Sequence, residues 1–211
     1  MKRFGIGLTV LGIMLIMGAM GLMMHNREEE RTAAQSVQAV MEQMVSGAAE
    51  PAEEAVTEEG AQMPTVTVGA DGYIGYLTVP ALGLELPVME QWSYKGLKTA
   101  PCRYAGSLYT DDLVVMAHNY ESHFGRLGEL KPGDRVAFTD TAGMTAEFQV
   151  EALEILRSGA VEEMTAGEWD LTLFTCTYGG KGRVTVRCEK VPGQHLKNAH
   201  DLLKKHSNLT Y

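Results

Sequence analysis

The sequence predicts an all-β domain, an antiparallel barrel or sandwich with one or two short helices, carried behind an N-terminal transmembrane helix. Residues 73–190 break into seven or eight short apolar runs parted by turn residues, the spacing of a barrel or sandwich. No βαβ alternation interrupts them, so a parallel α/β sheet is excluded. Residues 4–24, FGIGLTVLGIMLIMGAMGLMM, contain no charge over 21 positions; at about 1.5 Å per residue they match a hydrocarbon core of ~30 Å.

Lys2 and Arg3 precede that run and His25-Asn26-Arg27-Glu28-Glu29-Glu30 follow it. Basic residues at the front predict a cytoplasmic N-terminus and an extracellular remainder. A cleaved signal peptide is the rival reading, but its apolar core would be shorter and end in small residues, whereas this run ends Gly-Leu-Met-Met-His. An uncleaved anchor, residues 1–27, is therefore expected, placing the protein in the cell membrane as a single-pass chain.

Residues 28–59 hold nine glutamates against Arg31 alone and no aromatic residue. Such a segment buries too little apolar surface to fold alone and reads as a solvated spacer. Its first part, EEERTAAQSVQAVMEQMVS, has the composition of a helix. The expected layout is an acidic extracellular stalk over 28–70, a β-domain over 71–191 and a tail over 192–211. Most of the net charge of −9 lies in the stalk, and no basic face offers a nucleic-acid footprint.

Within the domain, 73–79 and 84–89 read as strands joined through Pro80 and Gly83, with Pro87 demanding an edge or bulge. DLVVMAH, 112–118, is a strand after the turn Thr110-Asp111-Asp112. FGRLGELKPGD, 124–134, reads as a short helix stopped by Pro132-Gly133. Strands follow at 135–139 and 145–156, linked through Gly143, then at 170–176 and 183–190.

Three cysteines, Cys102, Cys176 and Cys188, occur without C-x-x-C spacing, which argues against zinc and thioredoxin-type chemistry. Cys176 ends a strand: the strand fixes the sulfur and the turn after it leaves the sulfur reachable, as a nucleophile requires. A buried inert thiol is the plainer alternative. His118 ends another strand and has the intrinsic pKa for proton exchange near neutrality; a hydrogen-bonded structural histidine is its alternative. His123, five residues on, has no evident third ligand, so no metal and no cofactor are expected. Arg183 opens the last strand and falls near Cys176 if the two strands pair, where a guanidinium can hold an oxyanion. Arg187 shares its face but lies ~13 Å further along, as a reserve.

The ordered set VVMAHN, FGRLGELKPGD, TLFTC and GRVTV, with YLTVPALGLELPV before it, resembles the sortases, membrane-anchored cysteine transpeptidases of Gram-positive surfaces. The similarity covers roughly 72–191. It implies a closed eight-stranded sortase-like β-barrel, with Cys176 as the nucleophile that forms an acyl thioester, His118 as proton donor and acceptor, and Arg183 as the stabiliser of oxyanion or substrate. Asn119, Thr175 and Tyr178 are expected along the substrate groove. The implied reaction is cleavage of an LPxTG-like sorting signal and transfer of the surface protein to an amine, typically of a peptidoglycan precursor. The compact TYGGKG loop and the lack of an Asp-Pro-aromatic motif or a second apolar span point to a class B- or D-like member. Two other readings stand beside it: a surface cysteine hydrolase that releases the thioester to water, and a non-enzymatic exported binding module with Cys176 in a disulfide. An L,D-transpeptidase is excluded by the absence of a His-Gly-Cys-x-Arg-like run.

Overall fold

A computed structural model of the chain describes residues 2–46, 50–51, 62–191 and 197–198. Most of the expected stalk between 47 and 61, and most of the tail from 192, lie outside the described residues.

Eight strands form the domain: β1 (Asp71–Val79), β2 (Leu84–Met89), β3 (Cys102–Ala105), β4 (Leu113–Met116), β5 (Arg135–Asp140), β6 (Met144–Arg157), β7 (Leu171–Cys176) and β8 (Gly182–Lys190). They neighbour one another in the order β1-β2-β3-β4-β7-β8-β6-β5, and β5 returns to β1, so the sheet closes. Closure leaves no long free edge. Short strands at Val66–Val68 and Lys197–Asn198 extend the sheet beside β1 and β6. The fold is the closed eight-stranded all-β barrel that the sequence predicts, with two departures from an antiparallel meander: β2–β3 and β4–β7 are parallel.

Alternate residues point inward. Leu77, Val79, Val88, Leu113, Val115, Phe138, Phe148, Leu171, Leu173 and Val186 fill the barrel, all essentially without solvent exposure. Each contributes roughly 1.5–3 kcal/mol by leaving water. Pro87 sits where the expected edge exists: β2 meets β3 only at Met89 and Cys102, so the missing N–H at Pro87 breaks no ladder.

Other local expectations are corrected. The strand ending in His118 stops at Met116. The helix expected over 124–134 is a single 3-10 turn, Leu127–Glu129, that buries Leu127. Residues 102–105 form β3, and a five-residue helix, α2 (Val161–Thr165), spans the β6–β7 connection.

The largest correction concerns the spacer. One helix, α1 (Lys2–Val45), runs unbroken from the apolar segment through EEERTAAQSVQAVMEQMV. Ala33, Val37 and Val40 are buried against the domain, with Met41 and Met44 packed beside them. Residues 28–45 are therefore a docked helix and not a solvated stalk. Their apolar residues recur three and four apart, on one face, while the glutamates occupy the rest. Further toward the N-terminus the same helix exposes Leu11, Leu15, Ile16 and Leu22. Among the described residues it is the one helix long and apolar enough to cross a membrane.

Candidate active site

The β4–β7 ladder sets the site. Its parallel register runs Leu113 to Leu171, Val114 to Thr172, Val115 to Leu173 and Met116 to Phe174. The Ala117 N–H donates to the Phe174 carbonyl (3.2 Å) and the Thr175 hydroxyl donates to the Ala117 carbonyl (2.8 Å). The ladder ends at Met116 and Phe174, and these two bonds carry its direction on to Ala117 and Thr175, the residues just before His118 and Cys176. Across the other edge of β7, Arg183 is the cross-strand partner of Cys176. Cys176 and Arg183 are thus directly opposed, and His118 follows the end of the strand on the other side of β7.

Cys176 and Arg183 also share one face. Inward residues of β4 and β7 belong to the core, so Val114 and Met116, with Thr172, Phe174 and Cys176, point outward by alternation. Arg183, Thr185 and Arg187 continue that face on β8, and Leu156 and Glu154 on β6. Apolar side chains cover the middle of it: Val114, Met164 of α2 and Phe174 form a small cluster with Tyr104 and Leu156. Beside Arg183 this cover leaves a groove of about 80 Å³ lined by Tyr104, Val161, Met164 and Phe174.

Arg183 and Arg187 have different surroundings. The Arg183 guanidinium donates to the carbonyls of Gly180 and Gly182 at the turn and stays partly exposed. Arg187 is 4 % exposed. It donates to Glu154 (2.7 Å), the Thr172 hydroxyl (3.0 Å) and the Glu163 carbonyl (2.7 Å), which fastens α2 to the sheet. The larger hollow of about 570 Å³ lies there, on the far side of α2 and rich in glutamate. Each guanidinium nitrogen of Arg187 is engaged in holding structure and the side chain is buried, so the reserve role is not supported.

Among the other sequence expectations, Thr175 is a correction. It is 3 % exposed with its hydroxyl bound to Ala117, so it faces away from the groove and locks β7 to the residue before His118. Tyr178 is 84 % exposed in the turn after Cys176, where Gly179 and Gly180 take positive φ that side chains resist. Asn119 is half-buried after His118.

All three cysteines are free. Cys102 and Cys188 are fully buried and burial pushes both thiols up to about 12, which keeps them protonated and unreactive. Cys176 is the partly exposed one. A binding module held by a Cys176 disulfide is thereby overturned.

His118 titrates below its ordinary value because it is partly buried and because Lys98 stands near; Glu29 of α1 opposes the shift. Lys98 pairs with Glu29 at 3.1 Å. The rings of His118, Tyr120 and His123 stand in series, with centroids 5.0 and 5.4 Å apart. The chain between them folds back tightly: the Phe124 N–H donates to the His118 carbonyl and the Gly125 N–H to the Tyr120 carbonyl. A Cβ at Gly125 would lie 2.7 Å from the carbonyls of Asn119 and Tyr120, so this turn requires glycine. Among the described residues no group of three or more metal-ligating side chains exists.

The family model described as "Sortase: Sortase domain" matches residues 77–191. Sortase A from Corynebacterium diphtheriae superposes with a TM-score of 0.51 at 21% identity, over 60% of this chain and 66% of that one. The type I crystal structure of Streptococcus agalactiae sortase C1 gives 0.51 at 20% identity, over 58% and 71%. Sortase C1 from Streptococcus suis gives 0.49 at 25% identity, over 58% and 74%. No curated protein matches the chain.

Proposed function

The chain belongs to the sortase family, a family of cysteine transpeptidases, and from that membership we propose that it cuts an LPxTG-like sorting signal and joins the freed carboxyl end to a cell-wall amine. The observation that carries this reading is the partly exposed Cys176 opposed to Arg183, on a strand whose parallel neighbour leads into His118.

Cys176 attacks the Thr–Gly carbonyl as thiolate, and the Arg183 guanidinium holds the resulting oxyanion. The C–N bond then breaks, His118 gives its proton to the leaving amine, and a thioester remains on Cys176. An acceptor amine enters, His118 takes its proton, and nitrogen attack expels the thiolate. The proton and the sulfur both end where they began. The small apolar groove walled by Tyr104, Val161, Met164 and Phe174 suits an apolar side chain of the signal, and Asn119, next to His118, and Tyr178, in the turn after Cys176, are assigned to the rest of the substrate path. The exposed apolar half of α1 serves as a membrane anchor, with an inward N-terminus and the barrel outside. The compact turn after Cys176 supports a class B- or D-like member. The hydrolase reading differs only in the acceptor, water in place of an amine.

The test is incubation of the protein with a fluorogenic LPxTG-type peptide, with and without an amine. Cys176→Ala and His118→Ala are expected to lose at least 10³-fold of activity, in line with the cost of removing a nucleophile or its base. An amide product formed in proportion to added amine supports transfer; free acid alone, whatever amine is offered, overturns it in favour of hydrolysis.

A further inference from the structure

The docked half of α1 touches the barrel at the one place the chemistry leaves unsupported. The chain leaves β4 at Met116, so His118 and the residues that follow it have no strand to hold them. Glu30 of α1 reaches across 91 positions in sequence: its carboxylate accepts the Ser122 N–H at 2.7 Å and the Glu121 N–H at 3.1 Å. Two consecutive backbone donors on one carboxylate are charge-assisted bonds, about twice the strength of neutral ones. One turn of packing further, Ala33, Val37 and Val40 seat the helix, and beside Glu30 the Glu29–Lys98 pair adds a second tie near His118. The opposite end of the same segment is fixed from within, by the Phe124 N–H on the His118 carbonyl.

We propose that Glu30 is a positioning residue for His118: through the Glu121 and Ser122 amides it fixes the segment that carries the imidazole, so that α1 is a working part of the active site as well as an anchor. The role rests on His118 being the proton carrier proposed above. It acts through backbone and not through contact with substrate, so it governs turnover and leaves peptide binding alone. Glu30 is not among the residues that line the apolar groove.

The full chain in detergent micelles tests it. Glu30→Ala is expected to lower kcat for peptide cleavage about tenfold with KM within twofold. It should also shift the pH profile of Cys176 alkylation by iodoacetamide, since a misplaced imidazole no longer acts on the thiol. Glu30→Gln, which keeps one acceptor oxygen, should recover part of kcat. Glu42→Ala, an exposed glutamate on the same helix, controls for loss of charge and should match the wild type. A wild-type kcat in Glu30→Ala overturns the proposal. So does an equal loss of kcat and melting temperature in Glu30→Ala with no recovery in Glu30→Gln, which is general destabilisation. Full activity in His118→Ala would instead overturn the assignment of His118 itself, and the alkylation profile reads the histidine–thiol coupling without any peptide.

Discussion

At the scale of single residues, the strand ends were readable because each carries a reactive group after an apolar run. Cys176 after LTLFT and His118 after LVVMA stand out in a row of apolar letters, and pairing 171–176 with 183–188 sets Arg183 opposite Cys176. Thr175 was misplaced because its neighbour in sequence faces the groove, and alternation turns every second side chain away. The electrostatics of His118 were not readable at all. They come from Lys98 and Glu29, which lie far from it in sequence and meet only in the fold. Lys98 disfavours the imidazolium and Glu29 favours it, so Lys98→Ala removes the opposing cation and frees the carboxylate together. The His118 pKa is expected to move up in that variant and, in Glu29→Ala, to move down. Proton NMR titration of the imidazole reads both, and a pKa unchanged by Lys98→Ala would remove this pair from the account of the site.

Among the elements, those with clean period-two patterns were legible: β1, β2, β5, β6, β7 and β8 fall within a few residues of expectation. β3 was hidden, since Cys-Arg-Tyr-Ala offers four residues and an arginine where an apolar one would signal a strand. The docked part of α1 was hidden for a different reason. Ala33, Val37, Val40 and Met44 form a stripe at three- and four-residue spacing, but nine glutamates in the surrounding segment made it read as solvent-facing. Small apolar residues at helical spacing inside a charged stretch were the available signal. Val37→Asp would put a carboxylate into that seat at a cost of at least about 2 kcal/mol. The helix should then lift, and hydrogen exchange at the Glu121 and Ser122 amides should speed up, with the β7 and β8 amides still protected. Unchanged exchange at 121 and 122 would mean that the seat does not depend on this face.

For the molecule as a whole, a buried histidine outside the chemistry sets the acid limit. His123 is fully buried, neither ring nitrogen meets a partner at hydrogen-bonding geometry among the described residues, and burial holds its pKa down at about 4. The unfolded chain binds this proton near pH 6.5, so unfolding takes up a proton between the two values. Stability from this group is complete above about pH 6.5 and falls as pH drops toward 4, by about 3 kcal/mol. Burial of His118 adds in the same sense. Denaturant titrations between pH 7 and 4 should show the loss, and His123→Phe should flatten it; an equally steep fall in that variant would assign the acid sensitivity elsewhere. The closed barrel was legible as a class because eight short strands with no covering helices must close on themselves to hide their edges. Its two parallel contacts were not, since they depend on which connections cross.

The unbroken α1 also acts as a ruler. Six residues separate Met24, the end of the uncharged run, from the Glu30 carboxylate, a rise of about 9 Å along a helix. With that run in a bilayer, the His118 rim is held at the height of the lipid headgroups, and no slack exists for the barrel to rise. The enzyme's working zone is then a thin layer. Under the proposed function, a cleavage site that lies close above its own membrane segment would enter that layer, while the same peptide displayed far out on a folded domain would stay beyond reach.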